Sequence, residues 1–199
     1  MLHARRLVVG AEGNLSLKLG DDHYLTTPAG TCKGWLTPDD LVEVDLEGRG
    51  LVAEGPLPSS EWGLHREIYR CCPEAGAVCH GHPGYATACA SAGRALDPRL
   101  LTETAMLLGA VPLAPPAVPG TAEVAASVRP FLPVARAVLL ANHGVVAWGR
   151  DLHEAYFRLE TVERLAEVTV LSSILGGGRL LSAEFLARAG VQLDPDEAP

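Results

Sequence analysis

The chain has seven histidines in 199 residues, and three of them are placed where they could share an ion. His80 and His82 flank a glycine in Ala77-Val78-Cys79-His80-Gly81-His82-Pro83. Residues i and i+2 of a strand project to the same face, so two imidazoles at this spacing can reach one cation. Pro83 ends strand pairing directly after them, which puts the pair at a strand end. His143 lies in Leu139-Leu140-Ala141-Asn142-His143-Gly144, again just past an apolar run. A His-x-His pair is a weak signal by itself, and Asn-His-Gly is also an ordinary turn composition. Three imidazoles at two strand ends nevertheless match the three-histidine set of a catalytic zinc site that keeps an open position.

A carboxylate joins the same argument. In Pro58-Ser59-Ser60-Glu61-Trp62-Gly63-Leu64-His65, two hydroxyls and a glutamate sit where a helix begins. Serine is a common N-cap and glutamate a common first-turn residue, so the pattern is explained without a ligand. Free N–H groups and hydroxyls at a helix start also suit a phosphate, and Glu61 near a metal could act as general acid and base. His65, one turn further on, reads as a structural or supporting residue. Glu12-Gly13-Asn14-Leu15-Ser16 and Thr27-Pro28-Ala29-Gly30 are turns by composition that could add donors around a phosphate.

Short strands are expected at residues 15–19, 24–27 and 41–44, broken by Gly, Asp and Pro. A helix over 60–72 would put Leu64, Ile68 and Cys71 on one face before Pro73 stops it. A strand over 77–82 would carry the first two histidines, with helices following at 85–92 and 103–108. The Pro-rich stretch 110–120 opens as a strand and ends as a loop, and Thr121 can cap a helix running toward Phe131. Strands at 137–140 and 145–148 bracket His143. The clearest helix starts at Asp151, which with Glu154 makes a capping box, and ends at Gly176, Gly177 and Gly178. Strands and helices mixed without strict alternation indicate an α/β or α+β domain with one central sheet.

Composition narrows the function classes. A chain this long can bury roughly 70% of its extended surface, so a core needs no disulfides. Sixteen Lys+Arg against 24 Asp+Glu give a net charge of -8, with no basic run, which speaks against nucleic acid and anionic membrane as partners. No window reaches the ~18 apolar residues of a membrane span, and the apolar run near the N-terminus is too short for a signal peptide. Cys32, Cys71, Cys72, Cys79 and Cys89 are odd in number and contain no Cys-x-x-Cys pair. They read as reduced thiols, mostly core, in a cytoplasmic protein. The only lysines are Lys18 and Lys33. Neither lies in an apolar run that would depress its pKa, so a Schiff-base mechanism is disfavoured.

Taken in order, Gly13-Asn14-Leu15-Ser16, Thr27-Pro28-Ala29-Gly30, Leu57-Pro58-Ser59-Ser60-Glu61-Trp62, His80-Gly81-His82-Pro83 and Asn142-His143-Gly144 resemble the class II aldolase/epimerase family, its L-fuculose-1-phosphate aldolases above all. The resemblance runs from Gly13 to about Leu175. It implies an α/β/α single domain over 1–199, with a central mainly antiparallel sheet flanked by helices and a C-terminal tail from about 180. It implies one zinc ion per subunit on His80, His82 and His143, with Glu61 as acid/base. It implies a substrate phosphate on Gly13, Asn14, Gly30, Ser59 and Ser60, and a homotetramer. The expected reaction is reversible cleavage of a ketose 1-phosphate to dihydroxyacetone phosphate and an aldehyde. A sugar-phosphate 4-epimerase or thio-ribulose-phosphate dehydratase of the same family would share these residues. A cupin-type oxygenase is disfavoured by the long helices, and a non-catalytic adducin-like head by the retained histidines and Glu61. This sequence departs from the family pattern in three ways. Ala29 stands where the aldolases carry a hydroxy residue. No tyrosine lies near Leu101, where the fuculose-phosphate enzymes supply one to a neighbouring subunit. Only twelve residues precede Gly13, where the family usually carries a longer helix.

Overall fold

The computed structural model describes residues 1–191. Seven strands form one sheet: β1 (Asn14–Gly20), β2 (His23–Thr26), β3 (Val42–Val44), β4 (Ala77–Gly81), β5 (Leu113–Ala114), β6 (Ala137–Leu140) and β7 (Gly144–Gly149). Their order is β3-β2-β1-β4-β7-β6-β5, and only the β5–β6 pair is parallel. The helices are α1 (Trp62–Cys71), α2 (Gly84–Ser91), α3 (Thr102–Leu108), α4 (Ala122–Val128), α5 (Leu152–Ile174) and α6 (Ala183–Arg188). This is one mainly antiparallel sheet flanked by helices, the α/β architecture that the resemblance implies. Of the expected tail, α6 is described and residues 192–199 lie outside the described residues. No described helix is long and apolar enough to cross a membrane.

β4, β6 and β7 are buried along their whole length, as strands covered on both faces must be. Alternation divides their side chains between two cores. Ala77, Cys79, Leu139, Val145 and Ala147 pack against α2 and α5, including Ala86, Leu159 and Val162. Val78, Val138, Leu140, Val146 and Trp148 pack against α1 and α4, including Leu64, Ile68, Val124 and Val128. Burying one such side chain contributes about 1.5–3 kcal/mol. His80, two residues after Val78, points to the α1 side.

The observed elements depart from the sequence pattern in four places. Cys71 is exposed and Cys72 is buried, so the apolar stripe of α1 turns onto Cys72 as the helix ends. All five cysteines are free. The helix expected from 60 begins at Trp62 because Ser59 and Ser60 belong to the preceding turn: Trp62 N–H donates to Ser59 O, and Glu61 N–H to Ser59 Oγ. The helix after Thr121 ends at Val128, and Arg129–Phe131 is a 3₁₀ turn enforced by Pro130. At α5, Asp151 Oδ1 accepts from Glu154 N–H, but the Glu154 carboxylate accepts from Arg150 N–H instead of closing the box on Asp151.

Candidate functional site

The sheet delivers His80 and Asn14 to one another. Asn14 on β1 pairs with His80 on β4, and His80 pairs with Val146 on β7. Gly13, at φ +71, makes this junction possible: a Cβ there would lie 2.8 Å from His80 O and 2.5 Å from Val8 Cγ1. β4 stops at Gly81, and His82 is held instead by its N–H donating to Leu7 O at 3.0 Å. The β6–β7 turn brings in His143, with Asn142 taking the left-handed conformation at φ +57. Gly144 must be glycine for a different reason than turn geometry. A Cβ there would sit 2.5 Å from Gly81 O and 2.6 Å from His82 Cδ2.

One ring nitrogen from each of His80, His82 and His143 lies within 4.8 Å of the others. His80 Nδ1–H donates to Val145 O and His82 Nδ1–H to Glu12 Oε2, each at 2.9 Å. In the neutral form that binds a metal, both Nε2 atoms are then bare, and they face one another at 3.1 Å. Two lone pairs at that distance repel unless an electrophile lies between them. Two nitrogens on one tetrahedral zinc are roughly 3.3 Å apart, given bonds of about 2.0–2.1 Å. The donor set thus fits a divalent cation. Burial, then the neighbouring His80, holds His82 below the ordinary histidine range and His143 down at about 4. Both are neutral at physiological pH, as ligands must be.

Glu61 occupies the N-cap position of α1 without capping it, because its carboxylate is turned over the three rings. Oε2 lies 3.2 Å from His80 Nε2, and Oε1 lies 3.3 Å from His143 Nε2. Burial alone would raise this carboxyl. Contact with His80 and His143 and the Asn14 amide outweighs burial and holds it well below the usual carboxylate range. Glu61 is therefore ionised at physiological pH.

Beside this centre is a cavity of about 320 Å³ lined by Gly13, Asn14, Ala29, Gly30, Ser59, Ser60, Glu61, His82 and His143. Each residue expected to hold the phosphate, the metal or the acid/base role lines it, except His80, which is fully buried behind it. Two distant loops meet here through an isolated bridge between Pro28 and Pro58, with Ala29 N–H donating to Leu57 O at 3.0 Å. Two residues were not singled out from sequence. Glu12 orients His82, and it drew notice only as part of a turn. Lys33 also lines the cavity, and burial lowers its pKa, contrary to the expectation from its local run. The covering groups come from other segments, which a local window does not contain. Lys33 Nζ donates to Ala11 O and Thr31 O, each at 2.9 Å, which ties it to the loop backbone.

The profile of the class II aldolase and adducin N-terminal domain family matches residues 1–170. The chain belongs to that family. It is 36% identical over 190 residues to a 3-oxo-tetronate 4-phosphate decarboxylase of Pectobacterium atrosepticum, covering 92% of this chain and 84% of the relative. It is 35% identical over 186 residues to an L-fuculose phosphate aldolase of Methanocaldococcus jannaschii, covering 87% and 92%. A solved L-fuculose 1-phosphate aldolase superposes with a TM-score of 0.86 at 31% identity, covering 94% of this chain and 88% of that one. The L-fuculose-1-phosphate aldolase of Thermus thermophilus gives 0.76 at 36% identity, covering 90% and 93%. This class II aldolase family member is thus an enzyme of the lyase type, and the family's metal dependence agrees with its three-histidine centre.

Proposed function

We propose that the enzyme cleaves a carbon–carbon bond in a phosphorylated keto compound, leaving an enediolate that Glu61 protonates to dihydroxyacetone phosphate. The observation that carries this reading is the position of Glu61. Its ionised carboxylate lies against the rings of His80 and His143 and borders a cavity whose other wall is a pair of Ser and Gly loops. His80, His82 and His143 would hold one zinc ion per subunit, which when bound supplies a Lewis acid for negative charge on the substrate oxygens. Gly13, Asn14, Gly30, Ser59 and Ser60 receive the phosphate, and Lys33 adds a fixed positive charge to the same cavity. Holding the phosphate there fixes the reactive carbons beside Glu61.

The first form of the reaction is reversible retro-aldol cleavage of a ketose 1-phosphate of the L-fuculose 1-phosphate type. The C3–C4 bond breaks and its electron pair stays on C3. The C4 hydroxyl loses a proton as the aldehyde forms; Glu61, a carboxylate at rest, takes up one proton in exchange with solvent and delivers it to C3, so one proton leaves the substrate and one enters it. The balance requires no oxidant. A second form is loss of CO2 from a 3-oxo acid phosphate, the substrate type in the name of the Pectobacterium relative. It leaves the same enediolate and has no aldehyde-end proton to move, which suits a chain with Leu101 and no tyrosine in that segment. The working assembly is a homotetramer in the cytoplasm, as the resemblance implies. Met106, Leu107 and Phe157, apolar and exposed on α3 and α5, support association.

The test is a panel of ketose 1-phosphates and 3-oxo-tetronate 4-phosphate with zinc-loaded enzyme. Dihydroxyacetone phosphate is the common product, and aldehyde or CO2 separates the two forms. Glu61→Gln should keep the metal and stop exchange of the dihydroxyacetone phosphate C–H proton with deuterated solvent. Exchange at the wild-type rate, or no product from either substrate class, refutes the reading.

A further inference from the structure

Behind Glu61 runs a row of buried polar side chains, of which the reaction above uses only Asn14. Asn14 Nδ2 is 2.9 Å from Glu61 Oε2, and Asn14 Oδ1 is 2.5 Å from His65 Nε2. His65 Nδ1 is 2.6 Å from Ser16 Oγ, which is 2.7 Å from Tyr69 OH. Asn14, Ser16 and His65 are at most 2% exposed. Such a row must be satisfied at every link, since an unpaired buried polar group costs about 1–3 kcal/mol.

The direction of each bond follows from the Asn14 amide, whose two ends differ. Asn14 Nδ2–H donates to Glu61 Oε2, which leaves its carbonyl, an acceptor only, facing His65. His65 Nε2 must then carry the proton. Burial keeps the ring neutral down to about 3, so Nδ1 is bare and accepts from Ser16 O–H. Ser16 Oγ in turn accepts from Tyr69 O–H. Every donor points the same way, toward Glu61 Oε2. Glu61 Oε1, in contrast, is buried with no hydrogen-bond partner.

We propose that His65 is a positioning residue for Glu61, acting through Asn14: the row Tyr69–Ser16–His65–Asn14 pins Oε2 and leaves Oε1 as the oxygen that exchanges the substrate proton. The proposal rests on the reading that Glu61 carries that proton. Two elements cooperate in it. β1 supplies Asn14 and Ser16 from one face at spacing two, while α1 supplies His65 and Tyr69 at spacing four. A fixed carboxylate pays no reorganisation at the moment of transfer.

Two measurements test it on the zinc-loaded enzyme. In ¹⁵N-histidine-labelled protein, the His65 signal, assigned by its loss in His65→Gln, should show a bare Nδ1 and a protonated Nε2 from pH 5 to 8. A protonated Nδ1 overturns the proposal. In kinetics, His65→Phe should lower kcat by ~10–100-fold with KM and bound zinc near wild type. His65→Gln, which keeps a donor for Asn14 Oδ1, should recover most of the loss. A His65→Phe enzyme that is folded, zinc-loaded and fully active overturns it, as does a Gln variant no better than Phe. If the wild type releases no dihydroxyacetone phosphate, the proposed reaction fails instead, and the ring spectrum alone decides whether the row is directed as argued.

Discussion

Acid should weaken this protein through one ring in particular. His65 is buried, and its pKa falls from the ordinary 6.5 to about 3. The unfolded chain takes up a proton near 6.5 that the folded chain refuses. Stability therefore rises with pH wherever the unfolded state binds more protons. The contribution of His65 is intact above 6.5 and is lost progressively as pH falls from 6.5 toward 3. Each pH unit inside that window is worth about 1.4 kcal/mol. Between pH 7 and pH 5 the loss from this one ring is about 2 kcal/mol. The assay is equilibrium urea unfolding of wild type and His65→Gln at matched pH. His82, His143 and the carboxylates titrate in both proteins and cancel in the difference. The stability of wild type relative to the variant should fall by about 2 kcal/mol across that interval. A flat difference would refute the claim that the ring is buried neutral.

Two further outcomes follow from the groups around the histidines. Glu12→Ala removes the acceptor from His82 Nδ1 and should weaken zinc binding ~10–100-fold in a chelator competition. kcat at saturating zinc should stay near wild type, and Glu12→Gln should fall between the two; unchanged affinity in the Ala variant rejects the orienting role. Gly144→Ala keeps all three ligands but places a methyl 2.6 Å from His82 Cδ2 and 2.5 Å from Gly81 O. It should lose zinc and about 1–3 kcal/mol of stability, and a variant that loads zinc normally with an unchanged melting temperature contradicts the close approach.

The site was legible in the sequence where function and local pattern coincide. His80 and His82 share a strand end, His143 follows an apolar run, and Ser59 to Glu61 precede an amphipathic helix. Each of these signals fits in a window of a few residues, and their order along the chain carried the rest. Glu12, Ser16, Lys33 and Tyr69 were not legible, because their partners lie in other segments. Lys33 owes its burial to contacts from outside its own run. Tyr69 looks like any aromatic on a buried face until Ser16 is set opposite it. Helix ends were the other weak point. Glu61 resembles a first-turn residue in composition, and only the fold shows its carboxylate turned away from the helix and over the rings.

The bridge between Pro28 and Pro58 has a consequence for how such an enzyme changes its diet. The ion-holding half of the site stands on the rigid middle of the sheet, where β4 and β7 tolerate almost no alteration. The other half consists of two surface segments stitched together at a single point, with Ala29 leaning on Leu57. A graft from a cousin with different tastes must carry both segments at once, since either one alone would arrive without the seam that holds it in place.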